Sequence, residues 1–107
     1  MTFQEYQKKM FGYECITTFW DNFAIAEKFG GISGVKDTFN RAFKEWKDNY
    51  KYLTELVIVL NHRCWMHYNK GQQSLSDVYS NLYNKARDYA LDNLQGEEFD
   101  YYYQLTD

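Results

Sequence analysis

The sequence predicts an all-α protein, a single compact bundle of about five helices around a central apolar helix near residues 50–68. Two observations carry this. From Tyr50 to Tyr68 the chain reads YKYLTELVIVLNHRCWMHY, with Leu53, Leu56, Val57, Leu60, Cys64 and Tyr68 at the three- and four-residue intervals of one helix face. Tyr52, Ile58, Val59 and Trp65 spill onto its flanks, so the segment is apolar almost all round, the pattern of a helix sheltered on several sides. Second, proline is absent, and six glycines divide the chain into pieces of helical length.

The remaining elements follow in order. Phe3, Tyr6, Met10 and Tyr13 predict an N-terminal helix that Gly12 weakens. Ile16, Phe19, Phe23 and Ala26 define a second, with Thr17 or Thr18 as N-cap and Gly30 as C-cap. Ser33 caps a third, whose core face is Val35, Phe39, Ala42, Phe43 and Trp46. Helical spacing continues across Asp48–Asn49, but one unbroken helix of roughly 35 residues would run ~50 Å, against an expected radius of gyration of ~13 Å. A break at Asp48–Tyr50 with Asn49 as cap is the favoured reading. Ser74 with Asp77 resembles a capping box opening the next helix, with Leu75, Val78, Leu82, Ala86, Tyr89 and Ala90 as its stripe and Gly96 as its end. A short last helix, EEFDYYYQL, begins with acids that suit a helix N-terminus.

Length and composition bound the class. A chain of 107 residues has room for one helical domain, 1–107, and one core. Hydrophobic residues at 45% and aromatics at 21% exclude a disordered segment, and large rings compensate for the modest length. Cys15 and Cys64 are bury-prone thiols rather than a disulfide framework, which points to a reducing compartment. The N-terminus, MTFQEYQKKMFGYE, lacks the apolar run of a signal peptide. The longest uncharged apolar run, Leu56–Leu60, is far short of the roughly 20 residues that span a bilayer, so a soluble cytoplasmic protein is expected. All twelve Lys and Arg lie at or before Arg87, alongside nine acids, while the rest of the chain carries six acids and no base. A mildly basic body thus ends in an acidic tail.

Three stretches, FWDNFAIAEKFG, DTFNRAFKEWKDNYKYLTELVIVLNHRCWMHY and LYNKARDYALDNLQGEEFDYYYQLTD, resemble a family of small uncharacterised proteins carried by prophages, plasmids and conjugative elements of gut bacteria, over roughly residues 18–107. The resemblance implies an accessory protein of a mobile genetic element. It implies no activity and carries over no functional residue.

The chemistry is therefore weighed from the residues. His62, Cys64 and His67 are zinc-ligand types, but at ~100° per residue His62 and Cys64 point about 160° apart, so only Cys64 and His67 share a face. No metal or other cofactor is expected. Neither histidine lies beside a plausible nucleophile, and Glu97, Glu98 and Asp100 suit helix capping better than catalysis. The glycines of FGGISG match no phosphate-binding fingerprint. An enzyme is not expected.

Two binding readings remain. DNFAIAEKFGGISGVKDTFNRAF has the cadence of a helix-turn-helix, with Ile25, Ala26 and Phe29 on the first helix and Lys36, Asn40, Arg41 and Lys44 on the one starting near Ser33, facing DNA. Gly31 lengthens that turn, and Asp37 and Glu45 dilute the basic face, so nucleic acid is the weaker alternative. Aromatics argue for a protein partner: Tyr101, Tyr102 and Tyr103 fan across roughly 200° of a helix and cannot all face one core. Phe99, Tyr102 and Tyr103 are expected to dock on the body and Tyr101 to face solvent or a second subunit. Trp20, beside Asp21, is a similar interface candidate. The expected function is that of a non-enzymatic, protein-binding accessory or regulatory protein, acting on a partner or on itself as a homo-oligomer. Inhibition of a host nucleic-acid-binding defence complex through the acidic aromatic tail is a further alternative. No membrane contact and no small-molecule substrate is evident.

Overall fold

Eight consecutive residues, Leu53 to Leu60, are buried, which a helix permits only when it is covered on every side. They form the N-terminal half of α2 (Tyr50–Asn69) in the computed structural model, which describes residues 15–106 and side chains from residue 19. Around it pack α1 (Cys15–Trp46), α3 (Gln73–Asn93) and α4 (Glu97–Thr106). No strand occurs among the described residues, and the radius of gyration is 13.2 Å. The core joins Phe23, Val35 and Phe39 of α1 to Leu53, Leu56 and Leu60 of α2 and to Tyr79, Ala86 and Ala90 of α3.

The described residues hold four helices rather than about five. The N-terminal helix expected around Phe3–Tyr13 lies outside them. The second and third expected helices form one element, α1, bent sharply at Gly31. Its 32 residues would run about 48 Å if straight, longer than the 38 Å longest dimension of the molecule. At the corner Gly31 takes φ 57° and ψ −146°, a backbone state essentially confined to glycine. Gly31 rather than Gly30 therefore makes the break. The two limbs, residues 15–30 and 32–46, then close on each other tightly enough that a Cβ on Gly34 would lie 2.7 Å from the carbonyl oxygen of Ala26.

The other junctions have local chemical causes. Asn49 caps α2 as the sequence predicts, its side-chain oxygen accepting from the amides of Lys51 at 3.2 Å and Tyr52 at 3.3 Å. Gly71, at φ 73°, ends the same helix in a Schellman arrangement, with Gly71 N donating to Tyr68 O and Gln72 N to His67 O. This reversal starts α3 at Gln73, so the Ser74–Asp77 capping box does not form. Gln72 occupies the cap, and Asp77 instead accepts from Gln73 Nε2 at 2.7 Å. At its far end α3 stops at Asn93, ahead of Gly96. Ser76 Oγ donates to the Cys64 carbonyl at 3.1 Å and ties α3 to α2. Cys64 is half-buried there, and Tyr68, expected in the core, is 55% exposed, its ring edge-on to that of the exposed Trp65.

The Gly34 contact makes a sharp prediction. Gly34→Ala drives a methyl into a backbone oxygen that has no rotamer to relax through, and should cost about 1–3 kcal/mol in urea unfolding. Gly30→Ala, which meets nothing within 4 Å, should be neutral or stabilise by up to about 1 kcal/mol. Equal effects of the two would contradict the close limb–limb packing.

Candidate functional site

The first limb of α1 is held on the body by one carboxylate. Glu27 Oε2 accepts from the Tyr79 hydroxyl at 2.7 Å and from Arg63 Nη2. Arg63 Nε in turn donates to the Tyr79 oxygen at 3.0 Å. His67 Nδ1 donates to Gln72 Oε1 at 2.5 Å, while its Nε2 stands 2.5 Å from Glu27 Oε1 at an angle unlike a hydrogen bond's. Arg63 and His67 are one turn apart on α2, Tyr79 comes from α3, and all three are buried. The His67 ring lies parallel to that of Tyr79, and the Arg63 guanidinium stacks 4.4 Å from the Trp20 ring. Burial pushes the Tyr79 hydroxyl well above the ordinary tyrosine range, Arg63 opposing the shift and Glu27 adding to it.

With that limb anchored, the bend at Gly31 leaves a groove of about 600 Å³ between the two limbs. Half-buried Ala26, Gly34 and Ala42 are among its lining residues and put little side-chain volume into it. Ile25 and Phe29 line it from the first limb at 56% and 79% exposure, Lys28 Nζ standing 5.5 Å from the Phe29 ring. Ile32, 38% exposed, follows the Gly31 corner and is not among the groove's lining residues. Asp37, Arg41 and Glu45 line the groove from the second limb. None of Glu27, Arg63, His67 and Tyr79 is among the groove's lining residues.

The residues singled out from sequence are distributed differently from expectation. Lys36, Asn40, Arg41 and Lys44 are all exposed, but Arg41 faces the groove beside two acids and does not join the others on one basic face. Ile25 and Phe29, which a helix-turn-helix would bury, are open. In α4, Tyr102 is buried as expected and Phe99 is half-buried, while Tyr101 and Tyr103 exchange roles. Tyr101 packs edge-on against Tyr50 at 5.3 Å, and Tyr103 is 54% exposed, stacked on Phe99. Glu97, Glu98 and Asp100 form the acidic first turn of that helix. Trp20 is half-buried, with the Arg63 guanidinium over its ring. Among the described residues no group of three or more His, Cys, Asp or Glu is placed to hold a metal ion. His62 is exposed on α2, its pKa lowered by partial burial. No helix of the described residues is long and apolar enough to cross a membrane.

Comparison with known proteins finds no match: no family profile, no curated protein and no solved structure is significantly similar to this chain.

The anchor and the tyrosines each predict a stability effect. Glu27→Ala leaves the Arg63 charge buried without its carboxylate and should cost about 3–5 kcal/mol in urea unfolding. A loss under about 1 kcal/mol would mean that the limb is held by apolar packing alone. Burial also raises the Tyr101 hydroxyl to about 12, with Glu55 and then Tyr50 adding to the shift, and Tyr102 to about 12, with Tyr83 the next contributor. The unfolded chain loses these protons near pH 10 and the folded one later, so their contribution is complete below about pH 10 and is lost as pH rises toward 12. Unfolding free energy should therefore fall steeply over that window, and phenolate absorbance should show a late-titrating fraction. A flat stability profile from pH 9 to 12 would contradict the burial of these hydroxyls.

Proposed function

We propose that the protein acts by binding another protein at the apolar corner and groove of α1, as a non-enzymatic accessory factor. The observation that carries this reading is the exposure of Ile25 and Phe29 along a groove that also holds Ala26, Gly34 and Ala42, with Ile32 exposed just past the corner, where the described residues bury fifteen other hydrophobic side chains. Contiguous apolar surface of this kind is costly to leave in water and marks an interaction site, and an open aromatic beside a pocket is a typical anchor. Arg41, Asp37 and Glu45 supply the polar rim that such a site uses for orientation. The accessory role in a mobile genetic element rests on the sequence resemblance alone.

Phe29→Glu tests the reading without threatening the fold, since the side chain is exposed and surface changes of this kind stay within about 0.5 kcal/mol. Tagged parent and variant, expressed in the native host and recovered by affinity, should differ: the parent brings down a stoichiometric protein, a second copy or another chain, and the variant loses it. Equal recovery by both would place the interaction elsewhere. Nucleic acid in place of protein, released by Lys36→Glu and Lys44→Glu, would favour the helix starting near Ser33 as a DNA-binding surface.

A further inference from the structure

We propose that the groove of α1 is occupied by the same groove of a second copy of this chain, in an antiparallel two-fold pair. The inference rests on the binding role assigned to the groove above and names the partner.

Asp37, Arg41 and Glu45 stand four residues apart on the second limb and read negative, positive, negative along the groove. That spacing lets neighbours pair along a helix, yet no ion pair involving any of them occurs among the described residues. Three unpaired charges therefore flank an apolar surface. The order of signs is the same from either end. When two such stripes run antiparallel, a shift of one turn in either direction sets each Arg41 against an acid of the other copy, and two-fold symmetry makes the contact twice. A second copy meets this order once it is displaced by one turn, with two Arg41–acid contacts formed and one acid of each copy left at the edge of the pair, whereas a partner of unrelated sequence has no reason to carry the matching order.

The apolar groups fit the same arrangement. Antiparallel second limbs carry each copy's corner, with its open Phe29 ring, toward the far end of the other copy's groove. Half-buried Trp46 lines that end and offers part of its ring, with the buried Phe19 behind it. Between the two ends, Ala26, Gly34 and Ala42 present no bulky side chain to hold the copies apart.

The test is the mass of the purified chain in solution by sedimentation or light scattering, with charge variants at exposed positions. The parent should move from the 13.0 kDa chain to twice that mass as its concentration rises. Arg41→Glu makes the stripe wholly acidic, and the pair Asp37→Arg with Glu45→Arg makes it wholly basic. Each alone should weaken self-association at least about ten-fold by setting like charges together. Mixed in equal amounts, the two should recover a two-chain species at the parent's affinity, whichever one-turn shift the pair adopts. Phe29→Glu should be monomeric. Circular dichroism of each variant separates lost pairing from lost folding, and a misfolded variant is replaced by Arg41→Gln, for which a smaller weakening is expected. A parent that stays monomeric to about 0.5 mM, or a mixture that fails to pair where each variant is folded, overturns the second-copy assignment. If the parent is monomeric yet still recovers a different protein in a Phe29-dependent way, only the identity of the partner falls. If that recovery is absent too, the binding reading of the groove falls with it.

Discussion

The carboxylate of Glu27 is the contact on which the placement of the first limb of α1 depends. It takes a hydrogen bond from Tyr79 on α3 and an ion pair from Arg63 on α2, and it stands against His67, so one side chain of α1 joins three elements. Burying these charges is costly, and the mutual contacts offset that cost only when all are made together. An arrangement of that kind adds less to net stability than to uniqueness of position. The first limb has one place where Glu27 meets its partners, and the Gly31 corner and the groove follow from that placement.

The core and the groove divide the labour of the sequence. Around α2 the physics is bulk burial: large side chains from α1, α3 and α4 cover Leu53–Leu60 on all sides. In α1 it is the reverse. Ala26, Gly34 and Ala42 bring two limbs together with little side-chain volume between them, while Ile25 and Phe29 turn outward. The close approach at Gly34 requires small residues inside the bend, but nothing in that packing requires apolar side chains at its rim, where polar ones would be better solvated. The open corner is thus a departure from what stability alone favours.

Much of the framework is legible in the sequence because its signals are local. The apolar run identifies α2 and Asn49 satisfies amides two and three residues away, whereas the glycine pair marks the corner of α1 without saying that Gly31 rather than Gly30 makes it. The Glu27 anchor leaves no such trace. Its partners lie 36 and 52 residues along the chain, and an acid between Ala26 and Lys28 reads as a solvated surface residue. Periodicity also identifies a face without saying what covers it. Ile25 and Phe29 fall on an apolar stripe that the structure leaves open, as it does Tyr68 near the C-terminal end of α2. In α4, three consecutive tyrosines set no phase of their own. The position of Tyr50 selects Tyr101 as the inward ring and sends Tyr103 outward.

The central claim, that the Glu27 anchor fixes the first limb and with it the groove, is tested most directly by native-state amide hydrogen exchange on Tyr79→Phe. This change removes one hydroxyl that both donates to Glu27 and accepts from Arg63, and leaves the ring packing in place. The account predicts faster exchange across residues 19–30, beyond any change in global stability, with Leu53–Leu60 still protected to the global limit. Exchange that accelerates by the same factor in both segments, or in neither, would show that the limb is held by the core as a whole and contradict the account.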